Sequence, residues 1–192
     1  MRQRAAVSAL AIIAVIFSLG GILFAFEGTR ESPDDGWSVL ETGSISIYYK
    51  SGANLDLIES NLRKRAAYFS SDMPGDGAPV EEKIRYQLDA LFRRAEDILG
   101  MRPADIHIKI KIFRDRKELN DEHIKIFDAA GEGLKAFYVD KYNTIYISEA
   151  DISDSTMAHE MGHAIIDHYF TVIPPDSIRE LLAEYVDLHL AD

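Results

Sequence analysis

The chain has 192 residues, 47% of them hydrophobic and 28% charged, with 32 acidic against 21 basic side chains for a net charge of -11. That balance fits a globular domain with a core of its own, and it argues against nucleic acid or an anionic membrane surface as the main partner of the folded part. There is no cysteine, which excludes disulfides and thiolate metal sites.

From the N-terminus, Arg2 and Arg4 precede a run from Ala5 to Phe26 that carries no charge over 22 residues. As a helix it would span about 33 Å, close to the thickness of a hydrocarbon core. Bulky Leu23, Phe24 and Phe26 stand where a signal peptidase needs small residues, so a retained anchor is expected rather than a cleaved signal. Basic residues before the run and Glu27, Glu31, Asp34 and Asp35 after it put residues 1–4 in the cytoplasm and residues 27–192 outside it. Secretion after cleavage is the alternative. The expected layout is thus a short cytoplasmic N-terminus (1–4), a transmembrane signal anchor (5–26), a polar tether (27–43) and one domain (44–192).

Ser44 to Tyr49 reads as a strand, and Asn54 to Ser70 as a helix on its three- and four-residue apolar steps. Residues 70–80 are turn-rich. Residues 80–99 form a helix with Ile84, Leu88, Leu91, Phe92 and Ala95 on one face, ended by Gly100. Residues 106–113, IHIKIKIF, alternate as a strand with one wet face. Leu134–Val139 and Thr144–Ser148 are two more strands joined by the turn DKYN, and helices at about 152–170 and 177–190 close the chain. Strands and helices mix without regular alternation, which predicts an α+β domain with a mixed, mostly antiparallel sheet packed on helices.

The first closing helix carries the chemistry: STMAHEMGHAIIDHYF, residues 155–170, with Asp151 or Ser153 as its cap. His159 and His163 are four apart, hence on one helix face, and two imidazoles so placed can share one ion. Glu160 lies about 100° round the helix, positioned as a general base rather than a ligand. This is the H-E-x-x-H pattern of zinc hydrolases. His168 points away from that face. A tetrahedral zinc with one open position needs a third protein ligand, and the last helix offers Glu180, Glu184, Asp187 and His189. Ser177 to Glu180 also reads as a capping box, which would turn the Glu180 carboxylate back to the Ser177 amide.

Residues 134–190 resemble the catalytic core of gluzincin-type zinc metallopeptidases, the peptidase MA-like group. The resemblance rests on TIYIS, TMAHEMGHAII and a following helix with E-x-x-A-E-Y. It implies Glu180 as third zinc ligand, with Glu184 holding a ligating imidazole in its tautomer or serving as an alternative ligand. It also implies that Thr144, Ile145, Tyr146 and Ile147 form an open edge strand that pairs with an extended substrate; the same segment also reads as a paired core strand. A tyrosine or histidine is expected to stabilise the oxyanion. Tyr185 and His189 follow Glu180, and Tyr138, Tyr142 and Tyr146 precede it.

The expected function is a membrane-anchored zinc metallopeptidase acting on a peptide or protein, with one Zn2+ and with Glu160 activating the hydrolytic water. Membrane contact is expected through the N-terminal helix alone, and no nucleic acid partner is expected. The alternatives are a catalytically silent, partner-binding domain of the same shape and a zinc hydrolase of a cell-wall amide.

Overall fold

The structure, a computed structural model, describes residues 30–31, 36–62, 73–131 and 133–192. The expected cytoplasmic residues 1–4 and anchor 5–26 lie outside the described residues. Among the described residues no helix is long and apolar enough to cross a membrane.

The fold is α+β. Its six strands are β1 (Arg30–Glu31), β2 (Trp37–Glu41), β3 (Ile45–Lys50), β4 (Ile108–Phe113), β5 (Ala136–Val139) and β6 (Thr144–Ser148). They form one mixed sheet in the order β1-β2-β3-β4-β6-β5. The two central pairs, β3–β4 and β4–β6, are parallel and the outer pairs antiparallel. The helices are α1 (Leu55–Leu62), α2 (Val80–Leu99), α3 (Arg116–Phe127), α4 (Asp154–Tyr169) and α5 (Asp176–Leu188).

Isoleucine spacing sets the sheet's register. Ile45 faces Ile108, Ile47 faces Ile110, Ile110 faces Ile145 and Ile112 faces Ile147. Because side chains alternate across a strand, these isoleucines share one face and meet Ile58, Leu88, Leu91, Met157, Met161 and Ile165 from the helices in a single core. The other face carries Phe113, Val139 and Tyr146, which pack on Leu119 of α3. Truncating one core isoleucine to alanine removes its contacts and leaves a void, at a cost of about 2–5 kcal/mol.

Two segments depart from the sequence expectation. Part of the expected tether, Trp37–Glu41, is strand β2, paired residue by residue with β3. Its Ser38 and Leu40 are buried while Trp37 and Val39 are half-buried, and Thr42 Oγ1 accepts the N–H groups of Ser44 and Ile45 to close the turn. Helix α3 was not read from the sequence at all. It buries only Leu119, so its apolar periodicity is faint, but Asp115 caps it by accepting the Glu118 N–H at 2.8 Å.

Candidate metal centre

Helix α4 starts where Ser153 Oγ accepts the Thr156 N–H at 3.2 Å, which settles the choice of cap in favour of Ser153 over Asp151. Met157, Ala158, Met161, Ala164, Ile165 and Ile166 are all fully buried. With so much of its surface inside the protein, α4 presents His159, Glu160 and His163 to a cleft between α5 and the sheet edge.

Helix α5 is held against α4 by two contacts. Gly162 meets the backbone of Ala183 so closely that a Cβ there would lie 3.2 Å from the Ala183 Cα. That close approach accounts for a glycine in the middle of a helix, where it costs about 1 kcal/mol relative to alanine. Five residues after Gly162 and four before Ala183, Asp167 and Arg179 make the second contact: Arg179 donates to Asp167 at 3.2 Å and to Asp176 at 2.5 Å. The Asp167 side chain is almost completely buried, so this bridge fixes the height of α5 on α4.

The consequence is convergence. His159 Nε2 and His163 Nε2 are 3.3 Å apart. One oxygen of Glu180 lies 3.4 Å from His163 Nε2 and the other 3.5 Å from His159 Nε2. Charge-assisted hydrogen bonds run shorter, at about 2.7–2.9 Å. Two donors held tetrahedrally at zinc distance stand about 3.3–3.4 Å apart, so the spacing fits a shared cation better than direct hydrogen bonds. Among the described residues, His159, His163 and Glu180 are the group of histidines and carboxylates that can hold a metal ion. Burial of the His163 imidazole, with His159 beside it, pushes its pKa down and keeps it in the neutral, ligating form.

The capping-box alternative for Glu180 falls away. Helix α5 begins at Asp176 with Pro175 at the N-cap position and no side-chain cap, so Ser177 sits inside the helix and makes no demand on the Glu180 carboxylate. Glu184 is corrected as well. Ala183 and Val186 are the residues α5 buries against α4. Glu184 lies about 40° further from that face than Glu180, is exposed, and is neither in the ligand group nor on the cavity wall. His168 bonds its Nδ1 to the Ala164 carbonyl at 2.9 Å, away from the ligands as expected.

The edge-strand assignment of Thr144, Ile145, Tyr146 and Ile147 is overturned. Strand β6 lies between β4 and β5 and is buried throughout, because the chain folds back through a 3-10 turn at Asp140–Tyr142 and lays β5 along it. The free edge beside the site is β5. Ser148 donates its N–H to the Lys135 carbonyl, which makes 137–146 and 139–144 the hydrogen-bonded pairs of this ladder. The amides and carbonyls of Ala136 and Tyr138 therefore point outward along the edge. One of them, the Tyr138 amide, donates to the Glu160 carboxylate.

These parts enclose a cleft of about 380 Å³ walled by Ala136–Tyr138, His159, Glu160, His163, Asp176, Arg179 and Glu180. Glu160 is 8% exposed. Its burial, reinforced by the charge of Glu180 and partly offset by the Tyr138 amide, pushes its pKa up to about 7, near the value a general base needs at neutral pH. Of the tyrosines and histidine considered for oxyanion stabilisation, Tyr138 lines the cleft. Its hydroxyl donates to Asn143 Oδ1 at 3.2 Å, and burial, with Asp167 and Asp140 nearby, raises its pKa and keeps it a donor. Tyr146 stacks on Phe137 at the opposite face, Tyr142 is exposed, and Tyr185 stacks on His189 outside the cleft. The sequence reading missed β5 as the edge and the Arg179–Asp167 bridge; an acid one helical turn after His163, with an arginine in the first turn of the next helix, was the available signal for the bridge.

Comparison of the chain with protein-family models, with curated proteins and with solved structures finds no match in any of the three.

Proposed function

We propose that this protein is a zinc metallopeptidase, anchored to a membrane through residues 5–26 with its domain outside the cytoplasm. The observation that carries the reading is the convergence of His159, His163 and Glu180 from two helices, with buried Glu160 next to them under a free strand edge. The donor set, two imidazoles and a carboxylate, is that of zinc hydrolases. A bound Zn2+ would supply a Lewis acid for the scissile carbonyl and lower the pKa of water.

The chain's own residues do the rest. The outward amide of Ala136 and the outward carbonyls of Ala136 and Tyr138 pair with an extended peptide and align it along β5, while the Tyr138 amide stays with Glu160. Glu160, held by the Tyr138 amide, takes a proton from the attacking water and returns it to the departing nitrogen. The Tyr138 hydroxyl, kept protonated, donates to Asn143 in this state and would have to turn from that partner to meet the charge that builds on the carbonyl oxygen. The cleft is open along β5, which suits a polymeric chain better than a small amide.

Replacing the base and replacing a ligand separate the two parts of this reading. Glu160→Gln is expected to retain one zinc per chain by elemental analysis while peptide hydrolysis falls by about 100-fold or more. His163→Ala is expected to lose the metal itself. Undiminished hydrolysis in Glu160→Gln would remove the mechanism, and absence of turnover in the zinc-loaded parent chain on any peptide library would favour the silent, partner-binding alternative.

A further inference from the structure

The outward face of α5 is apolar where a surface helix is normally polar. Ile178, Leu181, Tyr185 and Leu188 are 43%, 61%, 46% and 69% exposed. At about 100° per residue they fall within an arc of about 80°, on the far side of the helix from buried Ala183 and Val186. Their spacing of three, four and three residues is the seam by which one helix accepts another. Just before α5 the chain also exposes Val172, at 81%.

The charges beside the stripe say what kind of chain fits it. Asp176, Glu180, Glu184 and Asp187 lie within a second arc of about 80° on its cavity side; Asp176 is paired with Arg179, Asp187 is half-buried, and Glu184 is exposed beside the proposed ligand Glu180. The only basic residue of Asp176–Leu188 is Arg179, and it is turned to Asp167 and Asp176. An apolar seam bordered by carboxylates repels a second copy of itself and repels anionic lipid, and it complements apolar residues flanked by lysine or arginine.

We propose that the outward face of α5 docks a cationic amphipathic segment of the polypeptide to be cleaved. Glu180 stands between the seam and the cleft, so a chain seated on the seam has its continuation beside β5. Delivery to the metal rests on the peptidase reading given above; docking does not.

The test uses the full chain and two labelled helical peptides of about five turns with identical leucine spacing, one carrying lysine and one glutamate at the polar positions. Fluorescence anisotropy is expected to show the lysine peptide binding at least about tenfold more tightly than the glutamate peptide. Leu181→Asn with Leu188→Asn, which removes the apolar seam without adding charge, is expected to abolish binding of the lysine peptide, and His159→Ala, which removes a ligand but not the seam, is expected to keep it. Equal binding of the two peptides, no binding, or indifference to the paired substitution would overturn the proposal. So would a dimer, or attachment to neutral phosphatidylcholine vesicles, that disappears in the paired variant. Binding of the lysine peptide without its hydrolysis would leave docking intact and count against the peptidase; hydrolysis of other peptides without such binding would do the reverse.

Discussion

At Glu160 a single carboxylate links stability to chemistry. Its pKa is raised to about 7 from an ordinary 4.5, by burial first and by Glu180 second. The folded chain therefore favours the protonated acid, and between the two values folding takes up a proton. The stabilisation is fully present below about pH 4.5 and is lost as pH rises through about 7, a difference on the order of 3 kcal/mol. Glutamine in its place carries no charge to desolvate. Metal-free Glu160→Gln is thus expected to match the parent near pH 4.5 and to exceed it in stability at pH 8 by up to about that amount, read as the difference between their urea unfolding curves in chelator. Curves that keep the same separation at both pH values would show that Glu160 titrates normally. The H-E-x-x-H residues were legible because spacing alone puts the two histidines on one face with Glu160 about 100° round from them. Glu180 was ambiguous because a carboxylate three residues after a serine is also a capping pattern, and only the start of α5 at Pro175 and Asp176 resolves it.

Elements carry the geometry that single residues use, and the α4–α5 contact is the critical one. Both imidazoles are on α4 and the carboxylate is on α5, so any change in their separation would act directly on a metal held between them. Gly162 sets that separation through its contact with the Ala183 backbone, which cannot step aside as a flexible side chain can. Gly162→Val is expected to force the helices apart, to destabilise the fold by about 1–3 kcal/mol, and to weaken zinc at least about tenfold in competition with a chromophoric chelator. Parent-like affinity would show that α5 can shift without disturbing Glu180. Helices α2 and α5, with clear apolar periodicity, were readable in the sequence, as were α4 through its motif and its cap and strands β3, β4 and β6 with their alternating or unbroken isoleucines. Helix α3 was not, since one buried leucine gives no period. The free edge was not readable either: TIYIS and AFYV both read as edge strands, and only the pairing of β6 with β4 leaves β5 outside.

For the molecule as a whole, the site lies where the sheet ends and the final helix is least supported. Within α5 only Ala183 and Val186 are buried, and the helix packs mainly on α4 rather than on the sheet. Burial of two such side chains stabilises docking by only a few kcal/mol. A cation held by His159, His163 and Glu180 would tie this helix to the buried body of the fold, so metal binding and the stability of the C-terminal quarter are one equilibrium. At a free zinc concentration about one hundred times the dissociation constant, the added stability is about 2.7 kcal/mol. In a domain of this size each kcal/mol moves the melting temperature by about 2–4 °C, so zinc is expected to raise Tm by about 5–11 °C and a chelator to reverse it. Glu180→Ala is expected to lose most of that rise and Glu184→Ala to keep it, because Glu180 lies within 3.5 Å of both imidazoles and Glu184 is not in that group. The two shifts, measured side by side by calorimetry, decide whether α5 closes the site; an equal loss in both variants, or none in Glu180→Ala, would mean that the metal is held without it.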